Sequence, residues 1–99
     1  MARYVLSKLA EADLFAIADY GFEAHGVERT LEYKTLIENT LKLLSENPKI
    51  ARKRLEISPP VRAYTAGSHI IIYHILEPDF IEVLRVRHVR EDWQNADYM

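Results

Sequence analysis

Apolar positions along the chain change period twice. Arg3 to Leu6 is short and β-compatible, and it stops at Ser7, a residue suited to capping a helix. Glu11 and Asp13 follow, where carboxylates favour the positive end of a helix. Ala10, Leu14, Ile17, Ala18 and Phe22 then recur near helical spacing, and Gly26 predicts the stop, because glycine enters the left-handed cap conformation without strain. A second helix is predicted from about Val27 to Glu46, with Tyr33, Leu36, Ile37, Leu41 and Leu44 on one buried stripe and Asn47-Pro48 at its end. The short junction at Gly26 makes the two helices an antiparallel hairpin.

Beyond Pro48 the period falls from helical to two. Lys49 to Pro60 reads as an irregular, basic connection. Val61 to Ala66, His69 to Leu76 and Phe80 to His88 read as strands, separated by Gly67-Ser68 and by Glu77-Pro78-Asp79. Turns this short imply antiparallel neighbours. Arg90 to Met99 is a polar tail with room for one helical turn. The predicted fold class is α+β in the order β-α-α-β-β-β. A helical hairpin packs on one face of a small, mainly antiparallel sheet, in a single domain spanning residues 1–99.

The middle strand carries apolar residues on both faces. His69, Ile71, Tyr73 and Ile75 point one way, and Ile70, Ile72, His74 and Leu76 the other. Two helices cover one face only, so the other asks for a covering. The reading adopted is an external partner. Its rival is the C-terminal tail, folding back through Trp93 and Tyr98.

Composition narrows the setting. The chain has no cysteine, which excludes disulfides and thiolate metal sites and fits a reducing cytoplasm. The N-terminus lacks the long apolar core of a signal peptide, so a soluble cytoplasmic protein is expected. Net charge is −2, whereas proteins that live on phosphate contacts are usually clearly basic. Cations nevertheless cluster, at Lys49–Arg54 and at Arg85–Arg90.

The ordered blocks of this sequence resemble the ParE branch of the RelE/ParE toxins of bacterial toxin–antitoxin pairs. The resemblance starts with Leu6, Ser7, Ala10, Asp13, Leu14, Ile17 and Tyr20, and continues through Tyr33, Leu41, Leu44 and Asn47-Pro48. It returns at Arg62, at Gly67 to Ile75, and at Ile81 to Asp92, where Arg85, Val86, His88, Arg90 and Asp92 fit the pattern. The resemblance implies a helical hairpin on a small sheet. It implies a toxin that inhibits DNA gyrase by binding and is silenced by a ParD-like antitoxin, in a hetero-oligomeric complex. RelE-like members instead cut messenger RNA on the ribosome, and a non-toxic homologue would only bind the antitoxin.

Fold does not separate these outcomes, so the side chains must. Cutting RNA through its own 2′-hydroxyl needs a base, an acid and a cationic stabiliser of the phosphate. His88, Arg85 and Tyr98, with Glu82 as the alternative to Tyr98, are the residues that could supply them. Alternation along the last strand puts Arg85 and Arg87 on one face and Glu82, Leu84, Val86 and His88 on the other, so the set is not expected to converge. Arginine suits planar carboxylate contacts at interfaces. Arg62, Arg85, Arg87, His88, Arg90 and Trp93 are therefore the expected binding surface for target or antitoxin, with the mobile tail contributing Trp93. The four histidines lack metal-ligand spacing, and no cofactor or metal is expected.

Overall fold

A computed structural model describes residues 2–98. Strand β1 spans Arg3–Leu6. A helical run, Lys8–Glu46, breaks at Gly26 into two arms, α1 (8–25) and α2 (27–46). Then come β2 (Lys53–Arg54), β3 (Val61–Ala66), β4 (His69–Glu77), β5 (Phe80–His88) and a 3-10 turn at Trp93–Asn95. The sheet order is β1-β5-β4-β3-β2, with β1 parallel to β5 and every other pair antiparallel. The expected α+β architecture stands, with one addition: the basic connection contains the two-residue edge strand β2.

Ser7 caps α1 as its side chain predicts. Its Oγ accepts the Ala10 N–H at 3.0 Å while its hydroxyl donates to the Leu84 carbonyl at 2.7 Å, so one residue ends the strand, starts the helix and ties both to β5. At the other end of α1, Gly26 sits at φ 83°, ψ 173°. That is positive-φ backbone with an extended ψ, a region side-chain-bearing residues avoid, rather than the left-handed cap the sequence suggests. The arms touch where Gly21 meets the buried Thr30, whose hydroxyl donates to the Gly26 carbonyl at 2.7 Å. A methyl group on Gly21 would lie 2.8 Å from Thr30 Oγ1.

The sheet has a core on each face. Under the hairpin, Ala10, Ile37, Leu41 and Leu44 pack against Ile71, Tyr73, Ile81, Val83 and Val86. Tyr73 is fully buried and donates its hydroxyl to the Pro48 carbonyl at 2.7 Å, anchoring the chain where α2 ends. The opposite face carries Ile70 and Ile72 with Val61, Ala63, Ile57, Trp93 and Tyr98. Here the structure corrects the expected open face and free tail: residues 90–98 fold back and supply the covering. Burying Trp93 and Tyr98 is the chain's own means of removing that apolar surface from water.

A bulge in β5 corrects the expected faces. Ile72 pairs with Arg85, but Tyr73 pairs with Val83, so Leu84 is an extra residue and alternation resets there. Glu82 and Leu84 consequently join Arg85 and Arg87 on the tail side, while Val86 and His88 stay with Val83 beneath the helices.

Gly26 gives a clean test, because nothing lies within 4 Å of where its Cβ would be. Gly26→Ala should destabilise the fold by about 1–3 kcal/mol through backbone strain alone. Urea denaturation with an unchanged slope would register it; no loss would mean that the hairpin turn tolerates another conformation.

Candidate functional site

The arginine cluster at the end of β5 is divided among separate partners. Arg85 reaches along the sheet edge to Asp13 of α1, donating Nε at 2.7 Å and a terminal nitrogen at 2.9 Å in a two-pronged contact. The same carboxylate accepts the Val86 N–H at 3.0 Å. Both side chains are largely buried, and the Asp13 hydrogen bonds raise the Arg85 pKa above its ordinary value. Arg87 pairs with Glu91 at 2.5 Å, and Glu91 Oε1 also accepts the His88 N–H at 3.0 Å. That backbone bond first, then the charge of Arg87, holds the Glu91 carboxyl below its usual range.

His88 faces the helix side, where its ring meets His69 edge-on with centroids 5.4 Å apart. Its Nδ1 accepts the Arg90 N–H at 3.1 Å. His69 Nδ1 lies 2.5 Å from the Tyr33 hydroxyl, which also accepts the Ser68 N–H at 3.0 Å. Burial, and then the neighbouring His88, lower the His69 pKa; burial raises that of Tyr33. Arg90 is exposed, and its guanidinium has no hydrogen-bond or ion-pair partner among the described residues.

The other expected residues lie apart from this pair. Arg62 donates to the Ala51 carbonyl at 2.6 Å and sits opposite Tyr73, bracing the loop after α2. Trp93 is buried in the tail-side core with the Arg54 guanidinium 5.4 Å from its ring, a packing position rather than an open surface. Tyr98 is also buried there; its hydroxyl donates to the Trp93 carbonyl, and burial raises its pKa. His88, Arg85 and Tyr98 therefore do not assemble. Sequence reading did not anticipate the His74–Glu82 contact at 2.7 Å, which the bulge creates by turning Glu82 to the tail side. Asp13, which the sequence offers as a helix-end charge and as part of the family pattern, is in the structure the partner of Arg85. The signal available was one carboxylate a single turn past a cap, facing a strand rich in arginine. Among the described residues, no group of three or more His, Asp or Glu side chains could hold a metal ion, and no helix is long and apolar enough to cross a membrane.

Residues 4–93 match the family model for the ParE toxin of the type II toxin–antitoxin system parDE. The chain belongs to the ParE toxin family. It is 35% identical over 91 residues to Toxin ParE1 of Mycobacterium tuberculosis, covering 92% of this chain and 93% of that one. It is 30% identical over 88 residues to Toxin ParE1 of Caulobacter vibrioides, covering 89% and 90%. A solved structure, the chromosomal ParDE TA system from P. aeruginosa, superposes with a TM-score of 0.75 at 25% identity over 91% of this chain and 98% of that one. Within this ParE-type chain, the Asp13–Arg85 contact and the His69–His88 pair both fall inside the family match, whereas Tyr98 lies beyond it.

Two measurements probe the site's energetics. Asp13→Asn removes the charge that Arg85 and the Val86 N–H share, and should cost about 2 kcal/mol in urea unfolding. The depressed His69 pKa also sets a pH dependence. Its unfolded counterpart, titrating at about 6.5, binds more protons in the acid window, so this part of the stability is complete above that pH and is lost as pH falls toward the folded value. His69→Asn keeps an acceptor for Tyr33 without a titrating ring. It should show a smaller fall in thermal midpoint between pH 7.5 and 5.5 than the parent chain.

Proposed function

We propose that this ParE-type toxin acts by binding DNA gyrase and is neutralised by a ParD-like antitoxin, without chemistry of its own. The carrying observation is the division of the nominal acid–base set. His88 is on the helix side, while Arg85 is engaged by Asp13 and Tyr98 is buried with its hydroxyl donated to a backbone carbonyl. Proton transfer to a substrate needs groups within hydrogen-bond reach of one reacting centre, and these three lack a common one.

Recognition has better material. Phe15 is 77% exposed, and Phe22 is exposed two turns further along α1; Leu36 and Leu43 repeat that spacing on α2. Apolar surface of this kind on a helical hairpin suits a partner's apolar segment. The P. aeruginosa relative, a ParDE system, supports a ParD-like occupant.

Purified protein should abolish supercoiling by gyrase and leave mRNA intact in a translating extract, and a ParD-like antitoxin should restore supercoiling. Cut mRNA with normal supercoiling would sink the reading in favour of an endonuclease. No effect in either assay would leave antitoxin binding as the activity. Phe15→Glu should weaken antitoxin capture by at least about tenfold while shifting thermal stability little, because an exposed apolar contact is lost on binding only.

A further inference from the structure

The register of β4 and β5 sets His69 directly opposite His88, with the rings in contact at 5.4 Å. Their hydrogen bonds fix more than position. The Arg90 backbone can only donate, so His88 Nδ1 must accept and, in the neutral ring, the proton resides on Nε2. The Tyr33 hydroxyl already accepts from the Ser68 N–H, and its own hydrogen is directed to His69 Nδ1, its nearest acceptor at 2.5 Å. The competing Ala66 carbonyl is farther, at 3.3 Å. If the shorter contact takes the hydrogen, neutral His69 is also an Nε2–H tautomer, which the NMR measurement below reads directly. Neither Nε2 has a hydrogen-bond partner among the described residues, and both rings are partly exposed.

The charges around this pair are unequal in availability. Asp13 faces it from α1 and Glu91 from the turn after β5, and both act on His69. Each is already occupied, Asp13 by Arg85 and Glu91 by Arg87. Tyr33 on α2 is spent on His69 and Ser68. What remains is two imidazole N–H donors and the free guanidinium of Arg90 in the adjoining turn.

We propose that His69 and His88, with Arg90, receive a carboxylate of an acidic peptide segment. The inference deepens the binding reading above, because the segment would belong to the partner. A peptide carboxylate is favoured over nucleic-acid phosphate because the chain is net negative, which opposes a polyanion but tolerates a single carboxylate. Imidazole N–H donors recognise the carboxylate by direct hydrogen bonds.

Two isosteric variants separate recognition from folding. His88→Asn keeps an acceptor where Nδ1 stands and loses the Nε2 donor; His88→Gln does the reverse. The probe is a capped alanine peptide carrying a single glutamate, added to the full chain at pH 7.5 and read by NMR of the imidazole nitrogens. Both rings should report as Nε2–H and shift on peptide addition. His88→Asn should weaken binding on the order of tenfold while the thermal midpoint holds, and His88→Gln should retain most of the affinity. An Nδ1–H tautomer at either ring, unperturbed rings, or equal affinity in both variants would overturn the proposal. A response to a single-stranded oligonucleotide but not to the peptide would overturn the choice of ligand. None of these readouts contains gyrase or antitoxin. A chain that binds peptide yet spares supercoiling would refute the gyrase reading alone, and one that blocks supercoiling yet ignores peptide would refute this site alone.

Discussion

The Asp13 carboxylate stands where three structural elements would otherwise come apart. β1 pairs with β5 only from Phe80 to Val83, because the chain turns into a helix after Leu6. The remaining edge of β5 would expose unpaired backbone groups, an expensive condition beside a core and a hazard at a surface. Ser7 takes up two of them, giving its N–H to the Val83 carbonyl and its hydroxyl to the Leu84 carbonyl. Asp13 takes the Val86 N–H and, with it, the Arg85 side chain. The first turns of α1 thus complete a ladder that a longer β1 would have completed. In doing so they fix where the hairpin sits on the sheet.

That placement decides the chemistry of the sheet's end. Each arginine that looks available in sequence is tested by what lies within reach. Arg85 is held by Asp13, Arg87 by Glu91 and Arg62 by the Ala51 carbonyl. Arg90 alone of this group keeps its guanidinium for an outside partner among the described residues. The sheet's faces divide the rest: His88 lies beneath the helices beside His69, whereas Arg85, Glu82 and Tyr98 belong to the tail side. What remains exposed includes apolar side chains on the hairpin and part of the histidine pair.

The two cores carry different messages. The hairpin-side core is made of residues whose spacing announces it, from Ile37, Leu41 and Leu44 to Ile71 and Tyr73. The tail-side core depends on Trp93 and Tyr98, which come from a segment whose polar composition suggests freedom. A few large aromatic rings bury enough area to overcome the ordering cost of a short tail, so average polarity misleads where anchor residues decide.

Local sequence by itself determined the helical hairpin, the cap at Ser7, the break at Gly26 and the antiparallel meander of β3, β4 and β5. Each follows from propensities and periods within a few residues. The family, too, was legible in the order of the blocks. Tertiary structure alone decided which side each residue of β5 faces, since one bulged residue, Leu84, reverses an alternation that sequence reads as unbroken. It also decided which cations are engaged. Asp13 and Arg85 are 72 positions apart, and pairing at that distance is fixed by how the helix lands on the sheet. Side-chain availability is a property of neighbours in space, and those neighbours exist only once the chain has packed.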